Sequence, residues 1–221
     1  MNDLLYLIML ILPLCAQLFV SGRYKKYSKI NNSLNISGYD VARKILDNNG
    51  LNALYIVETK GVMSDHYDPN RKTVKLSSEV FHGTSIASLS IAAHECGHAI
   101  QDKEGYMFLK LRSLIFPVVN LGTKFAYIVL FIGLLLQYMD LLLLGIVLVS
   151  LGLVFQLVTL PVEINASKRA LEEIEKCGLA SNDDKDGTES MLKAAAYTYV
   201  AGVITSALEV LRLYKLFVDN D

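Results

Sequence analysis

Two of the four histidines in this 221-residue chain stand four positions apart, in His94-Glu95-Cys96-Gly97-His98. On an α-helix, residues i and i+4 project from one face, so the two imidazoles can grip a single ion. Imidazole nitrogen at about 2.0–2.1 Å suits Zn2+ well. Glu95 lies one residue beyond His94, about 100° around the helix, beside such an ion rather than on it. That place suits a general base: zinc lowers the pKa of water towards roughly 7, and a neighbouring carboxylate can take the proton as the oxygen attacks a peptide carbonyl. Shuffling four His and ten Glu through the chain would produce this pattern in roughly 0.3% of cases. A pair of ordinary surface histidines is therefore the poorer reading.

Two histidines and a water leave a catalytic zinc one protein ligand short. The remaining histidines are His66 and His82, so a downstream carboxylate is the expected third ligand, and the candidate is Glu163 in Leu160-Pro161-Val162-Glu163-Ile164-Asn165-Ala166-Ser167-Lys168-Arg169-Ala170. The competing reading of Glu163 is a helix-surface carboxylate paired with Lys168 or another neighbour. His66, in a polar turn, or a tyrosine such as Tyr197 could steady the carbonyl oxygen in the transition state; the plainer readings are a solvated turn and a packing ring. Cys96 points elsewhere on the helix and would ligate only if the helix distorted. Glu172, Glu173, Glu175 and Lys176 read as a solvated helix face. Asn182-Asp183-Asp184-Lys185-Asp186-Gly187 lacks the alternating spacing of a calcium loop and reads as a flexible loop.

These residues must be carried on a scaffold, and the composition says which kind. The chain is 52% hydrophobic and 19% charged, with a mean hydropathy of +0.37, where ordinary soluble domains carry roughly 25% charge. Intrinsic disorder and a disulfide-framework mini-protein are excluded, and Cys15, Cys96 and Cys177 show no metal-like spacing. A net charge of −1 without a long basic run argues against nucleic acid as a partner. Residues 4–20 are free of charge and nearly long enough to cross the bilayer. The opening Met1-Asn2-Asp3 lacks the positive charge of a signal peptide, so a retained anchor is expected. Arg23, Lys25, Lys26 and Lys29 follow it and place the chain beyond them on the cytoplasmic side.

The apolar block 114–162 is long enough for two crossings, with Gln137-Tyr138-Met139-Asp140 at the tip. Lys110 and Arg112 precede the block, Lys168 and Arg169 follow it, and the tip holds no Lys or Arg, so both ends are expected to be cytoplasmic. Exactly two crossings then separate His98 from Glu163, and all three candidate ligands share one side of the membrane. Lys124, inside the first leg, must snorkel or face the bundle interior. A further apolar stretch, 194–211, contains Glu209 and many small residues; it reads as a fourth membrane helix or as a soluble helix covering the catalytic region.

Between anchor and hairpin the composition is mixed. Residues 37–49 read as a helix with Ser37 as N-cap, an apolar face of Val41, Ile45 and Leu46, and Gly50 as the stop. Residues 53–57 and 73–77 read as strands, with a turn at Asp68-Pro69-Asn70. Val74 to Ser77 is read either as an exposed edge strand, on which a peptide could add as a further strand, or as an ordinary core strand. A helix starting near Thr84 or Ser85 runs into the histidine motif.

Several segments together, Asp65-His66-Tyr67-Asp68-Pro69, Val74-Lys75-Leu76-Ser77, Ala92-Ala93-His94-Glu95-Cys96-Gly97-His98-Ala99-Ile100-Gln101 and Pro161-Val162-Glu163-Ile164-Asn165-Ala166-Ser167, resemble the YugP family of bacterial neutral zinc metallopeptidases. The resemblance covers nearly the whole chain. More distantly the pattern is similar to the HtpX membrane proteases, gluzincins in which a Glu on a following helix completes the site. The resemblance implies a membrane-embedded zinc endopeptidase with His94, His98 and Glu163 as ligands and Glu95 as base. One departure from the HtpX pattern is Ser167, which stands where an Asp supports the third ligand there; a serine can orient a ligand but adds no charge.

The expectation is a mostly α integral membrane protein with a small α+β zincin-like catalytic region. Its parts are an anchor (1–22), a catalytic region (23–112), a transmembrane hairpin (113–162) and a C-terminal helical region (163–221) that brings the third ligand. The cofactor is Zn2+, the partners are protein or peptide substrates and the lipid bilayer, and the location is the cell membrane with the active site facing the cytoplasm. Two rivals stand beside it. A membrane assembly protein with a structural zinc would need a fourth protein ligand. An intramembrane protease of the site-2 type would need a distal Asp, but Asp140 falls at the outer tip, and Gln101-Asp102-Lys103-Glu104 closes the motif helix in polar residues.

Overall fold

The computed structural model describes residues 2–218, with side chains from Leu5 onward. In chain order the elements are α1 (Asn2–Tyr27), α2 (Gly38–Asn48), β1 (Tyr55–Thr59), β2 (His66–Asp68), β3 (Thr73–Ser77), α3 (Ser78–His82), α4 (Ile86–Glu104), α5 (Met107–Leu136), α6 (Met139–Lys176) and α7 (Asn182–Val218). They divide into two compact units, one built from residues 18–106 and 162–197, the other from residues 2–17, 107–161 and 198–218.

In the first unit α4 is the central element. Ser85 Oγ caps its start by accepting from the Ser88 amide, and Gly105 ends it in the left-handed region at φ 69°, a conformation glycine adopts without a Cβ penalty. Most of the helix from Ile86 to Gln101 is buried, which its run of small residues (Ala87, Ala92, Ala93, Gly97, Ala99) permits by letting neighbours approach on every side. Helix α2 lays Val41, Ala42, Ile45 and Leu46 into the same core. Its N-terminus is held by a reciprocal capping box between Ser37 and Asp40. Val74, Leu76, Leu89, Cys96, Ile174, Leu179 and Leu192 complete the core.

The sheet has the order β1-β3-β2. β1 runs parallel to β3, with Tyr55 opposite Thr73, and β2 runs antiparallel to it, with Tyr67 opposite Val74. β3 is therefore the central strand, buried at four of its five positions, and the edge-strand reading of Val74 to Ser77 gives way to the core reading. His66 lies in a strand rather than a turn. A three-residue strand offers no alternation to read, and what holds this one is the pairing of its backbone with β3 and the Tyr67 hydroxyl, which donates to Asp102 at 2.7 Å.

Residues 182–187 are likewise not a loop. Helix α7 begins at Asn182 because Ser181 caps it: Ser181 Oγ accepts from the Asp183 amide at 3.2 Å, and the Asp184 carboxylate accepts from the Ser181 amide at 3.0 Å and from the Ser33 amide at 3.1 Å. At Gly187 a Cβ would meet Tyr27 and Ile86 at 3.0–3.1 Å, a close approach that a larger residue would push apart.

The second unit is helical. Among the described residues, four helices are long and apolar enough to cross a membrane: Leu5–Tyr27, Met107–Leu136, Met139–Lys176 and Asn182–Val218. The last contains the 194–211 stretch. α5 and α6 are joined at Gln137-Tyr138, with Gln137 at φ 52°. Beside this turn a Cβ on Gly133 would come within 2.8 Å of the Leu142 amide nitrogen, and one on Gly145 within 2.6 Å of Leu130, the close packing that small residues allow between membrane helices. Leu114, Leu121, Phe131 and Leu135 stand exposed along α5, a surface suited to lipid. Lys124 is exposed on the same helix. Arg212 pairs with Glu209 at 3.2 Å and donates to the Tyr6 hydroxyl at 3.1 Å, so Glu209 of α7 is matched within its own helix. The whole is a mostly α membrane protein with a small α+β region.

Candidate metal centre

His94 and His98 lie one turn apart on α4, with ring centroids 4.8 Å apart and planes at 84°. α6 brings a third group to them. The backbones of α4 and α6 touch at Gly97, where a Cβ would sit 2.5 Å from the Ala166 carbonyl oxygen. Only a residue without a side chain fits between the two histidines here, and the contact sets Glu163, nearly one turn before Ala166, opposite the imidazoles.

Glu163 Oε2 stands 3.3 Å from His94 Nε2 and 3.5 Å from His98 Nε2. Among the described residues this is the one group of three His, Cys, Asp or Glu side chains whose donor atoms converge, all within 4.8 Å of one another. Glu163 and His98 are buried, and His94 is the member partly open to solvent. Two atoms each about 2.0–2.1 Å from a tetrahedral ion lie roughly 3.3 Å apart. A charge-assisted N–H···O bond would be shorter, about 2.7–2.9 Å. The spacing thus fits donors arranged around an ion better than a closed ion pair, and the two-nitrogen, one-carboxylate set is one that zinc accepts.

The surroundings support this arrangement. Burial works against a charge on His98, yet the facing Glu163 holds its pKa above the ordinary histidine value; the site attracts positive charge. Ser167 Oγ lies 3.3 Å from His94 Nδ1, so a neutral hydroxyl does steady one imidazole from behind. Glu95 is buried at 7% exposure and is not part of the converging group, in keeping with a place beside the ion. Cys96 is fully buried with its Sγ towards the Ala42 carbonyl, and burial pushes its thiol up, away from the thiolate that a metal ligand requires.

The other candidates lie outside this group. His66 Nδ1 meets the Ser64 carbonyl at 2.8 Å and the residue is exposed. His82 pairs with Glu58 at 3.3 Å. Tyr197 is exposed, with its ring 6.0 Å from that of Phe19. Lys168 pairs with Glu172 at 3.7 Å. Gln101, read from sequence as part of a polar helix end, is fully buried and touches His98. Its place three residues past a candidate ligand, on the same helix face, was the available signal.

Residues 3–218 match the model of a family described as "putative neutral zinc metallopeptidase". The chain belongs to this family. It is also similar to a protein of Bacillus subtilis (strain 168) named "putative membrane protease YugP", with 44% identity over 205 residues, covering 93% of this chain and 91% of that one. No solved structure matches it. Membership assigns the chain to the zinc peptidases, and His94, His98 and Glu163 are the residues that could hold the ion.

Proposed function

We propose that this protein is a membrane-embedded zinc endopeptidase in which His94, His98 and Glu163 hold the ion and Glu95 is the general base. The observation that carries this reading is the set of three donor atoms spaced at 3.3–3.5 Å and within 4.8 Å of one another. Zinc, when bound, supplies a Lewis acid that lowers the pKa of water towards roughly 7 and polarises a carbonyl. The chain's own residues do the rest. Nδ1 of His94 is backed by Ser167, which keeps its Nε2 aimed at the centre. The Glu95 carboxylate takes a proton from the attacking water and returns it to the departing amine as the C–N bond breaks. With three protein donors in the group, one position remains for water and substrate, as a catalytic rather than a structural zinc site requires.

The substrates we infer are proteins in or beside the membrane, reached by residues 23–112 and by the helical region from 163 onward. The four apolar helices support a membrane location for the enzyme, and placement beside the bilayer selects neighbours there. The distribution of Arg23, Lys25, Lys26, Lys29, Lys110, Arg112, Lys168 and Arg169 against the uncharged-to-acidic 137–140 tip supports a cytoplasm-facing site. The test is cleavage of casein by the detergent-purified full chain. The wild type cleaves it and carries zinc. Glu95→Gln keeps the zinc and loses the cleavage, and a Glu95→Gln protein that still turned over substrate would remove Glu95 from the mechanism.

A further inference from the structure

Gln101 is fully buried, and its amide is engaged on every side. Oε1 lies 3.0 Å from His98 Nδ1, while Nε2 lies 2.8 Å from the Val162 carbonyl oxygen and 2.9 Å from Asn165 Oδ1. An amide's oxygen and nitrogen are interchangeable by shape, so the direction of these bonds must come from a partner that cannot reverse. Two partners qualify: the Val162 backbone carbonyl, which can only accept, and Arg169. Its Nε lies 2.8 Å from Asn165 Oδ1, and its guanidinium is anchored by Glu104 at 2.6 Å. A guanidinium has only donors, so the Asn165 atom facing it is the carbonyl oxygen.

That oxygen, together with the Val162 carbonyl, presents two acceptors to Gln101, which turns its NH2 group towards them. The Gln101 carbonyl is then left to face His98, where it can only accept. His98 must carry its proton on Nδ1, and its Nε2, 3.5 Å from Glu163 Oε2, keeps the bare lone pair that a metal needs. Resting on the ligand set proposed above, we propose that Gln101 is a positioning residue: at the end of a one-way hydrogen-bond relay from Arg169 through Asn165, it locks His98 in the tautomer able to bind zinc through Nε2. The relay links α4 to α6 through side chains flanking the Gly97–Ala166 contact, so the tautomer of one ligand is set by the same helix that brings another. With Ser167 behind His94, each imidazole has its own uncharged support.

The test uses the full chain in detergent, with zinc affinity measured by competition with a chelator and with histidine nitrogens labelled with 15N, of which only four residues contribute. In the zinc-loaded wild type the His98 Nδ1 is protonated and Nε2 carries the metal. Gln101→Leu keeps the bulk and removes the acceptor, and its zinc affinity falls about 10–100-fold, the range for loss of a ligand's supporting partner. Gln101→Glu, protonated where it faces the Val162 and Asn165 oxygens, keeps a donor on that side and an acceptor opposite Nδ1, and its loss stays within about threefold, short of that range. Equal losses in both variants, or no loss in Gln101→Leu, or metal on Nδ1 of His98 in the wild type, would each overturn the relay. If Gln101→Leu does not fold, the wild-type spectrum and the Gln101→Glu affinity still decide. A wild type that binds no zinc overturns the ligand set itself, a different result from tight binding that ignores position 101.

Discussion

At the scale of single residues, the proposed roles separate holding from reacting. His94, His98 and Glu163 converge, whereas Glu95, one step around the helix, is buried next to them without joining the group. That division makes Glu95→Gln the informative substitution. Gln is nearly isosteric and cannot take a proton, so turnover should fall about 10²–10⁴-fold, the usual contribution of general acid–base catalysis, while zinc content measured on the same preparation stays near that of the wild type. The histidine pair was legible from spacing alone, because i and i+4 on a helix share a face and few other patterns place two imidazoles so. Glu163 was legible only as a candidate, since a carboxylate has no spacing rule across the 64 positions between it and His98; chemistry required a third ligand and the chain offered few. Gln101 was not read as a partner, because a glutamine near a helix end looks solvated unless one knows that the next helix covers it.

At the scale of elements, one backbone contact does most of the positioning. Gly97 sits between the two histidines and lets α4 approach the Ala166 carbonyl. Gly97→Ala would put a methyl group 2.5 Å from that oxygen. The helices would have to separate, at a cost of about 1–3 kcal/mol, and Glu163 would move away from the imidazoles. The expected outcome is a lower melting temperature together with weaker zinc binding, read by thermal denaturation and chelator competition. Unchanged zinc affinity in this variant would show that the contact does not place the carboxylate. The elements differed in how far sequence revealed them. α2 and β3 were plain, through the Ser37 cap and the Asp68-Pro69-Asn70 turn that precedes the strand. β2 escaped notice because three residues carry no pattern, and the start of α7 was mistaken for a loop because its acidic cluster hides a cap between Ser181 and Asp184.

At the scale of the whole molecule, hydropathy and charge made the membrane class readable before any coordinates, because a helix in lipid must be apolar along its length. The weakest expectation was the 194–211 stretch, where Glu209 dilutes the signal; α7 matches that charge internally through Arg212. The proposed orientation can be checked by an impermeant thiol reagent on intact cells. Asp140→Cys, at the hairpin tip, should be modified from outside, while Lys185→Cys should react only after the membrane is opened. Reaction of Lys185→Cys in intact cells would reverse the orientation.

The central claim is that two imidazoles and one carboxylate, drawn from α4 and α6, surround one zinc ion with a position left for water. X-ray absorption at the zinc edge of the purified, metal-loaded protein tests it most directly. The expected result is a shell of nitrogen and oxygen atoms at about 2.0–2.1 Å with the scattering pattern of two imidazoles; a sulfur neighbour at about 2.3 Å would rule this ligand set out.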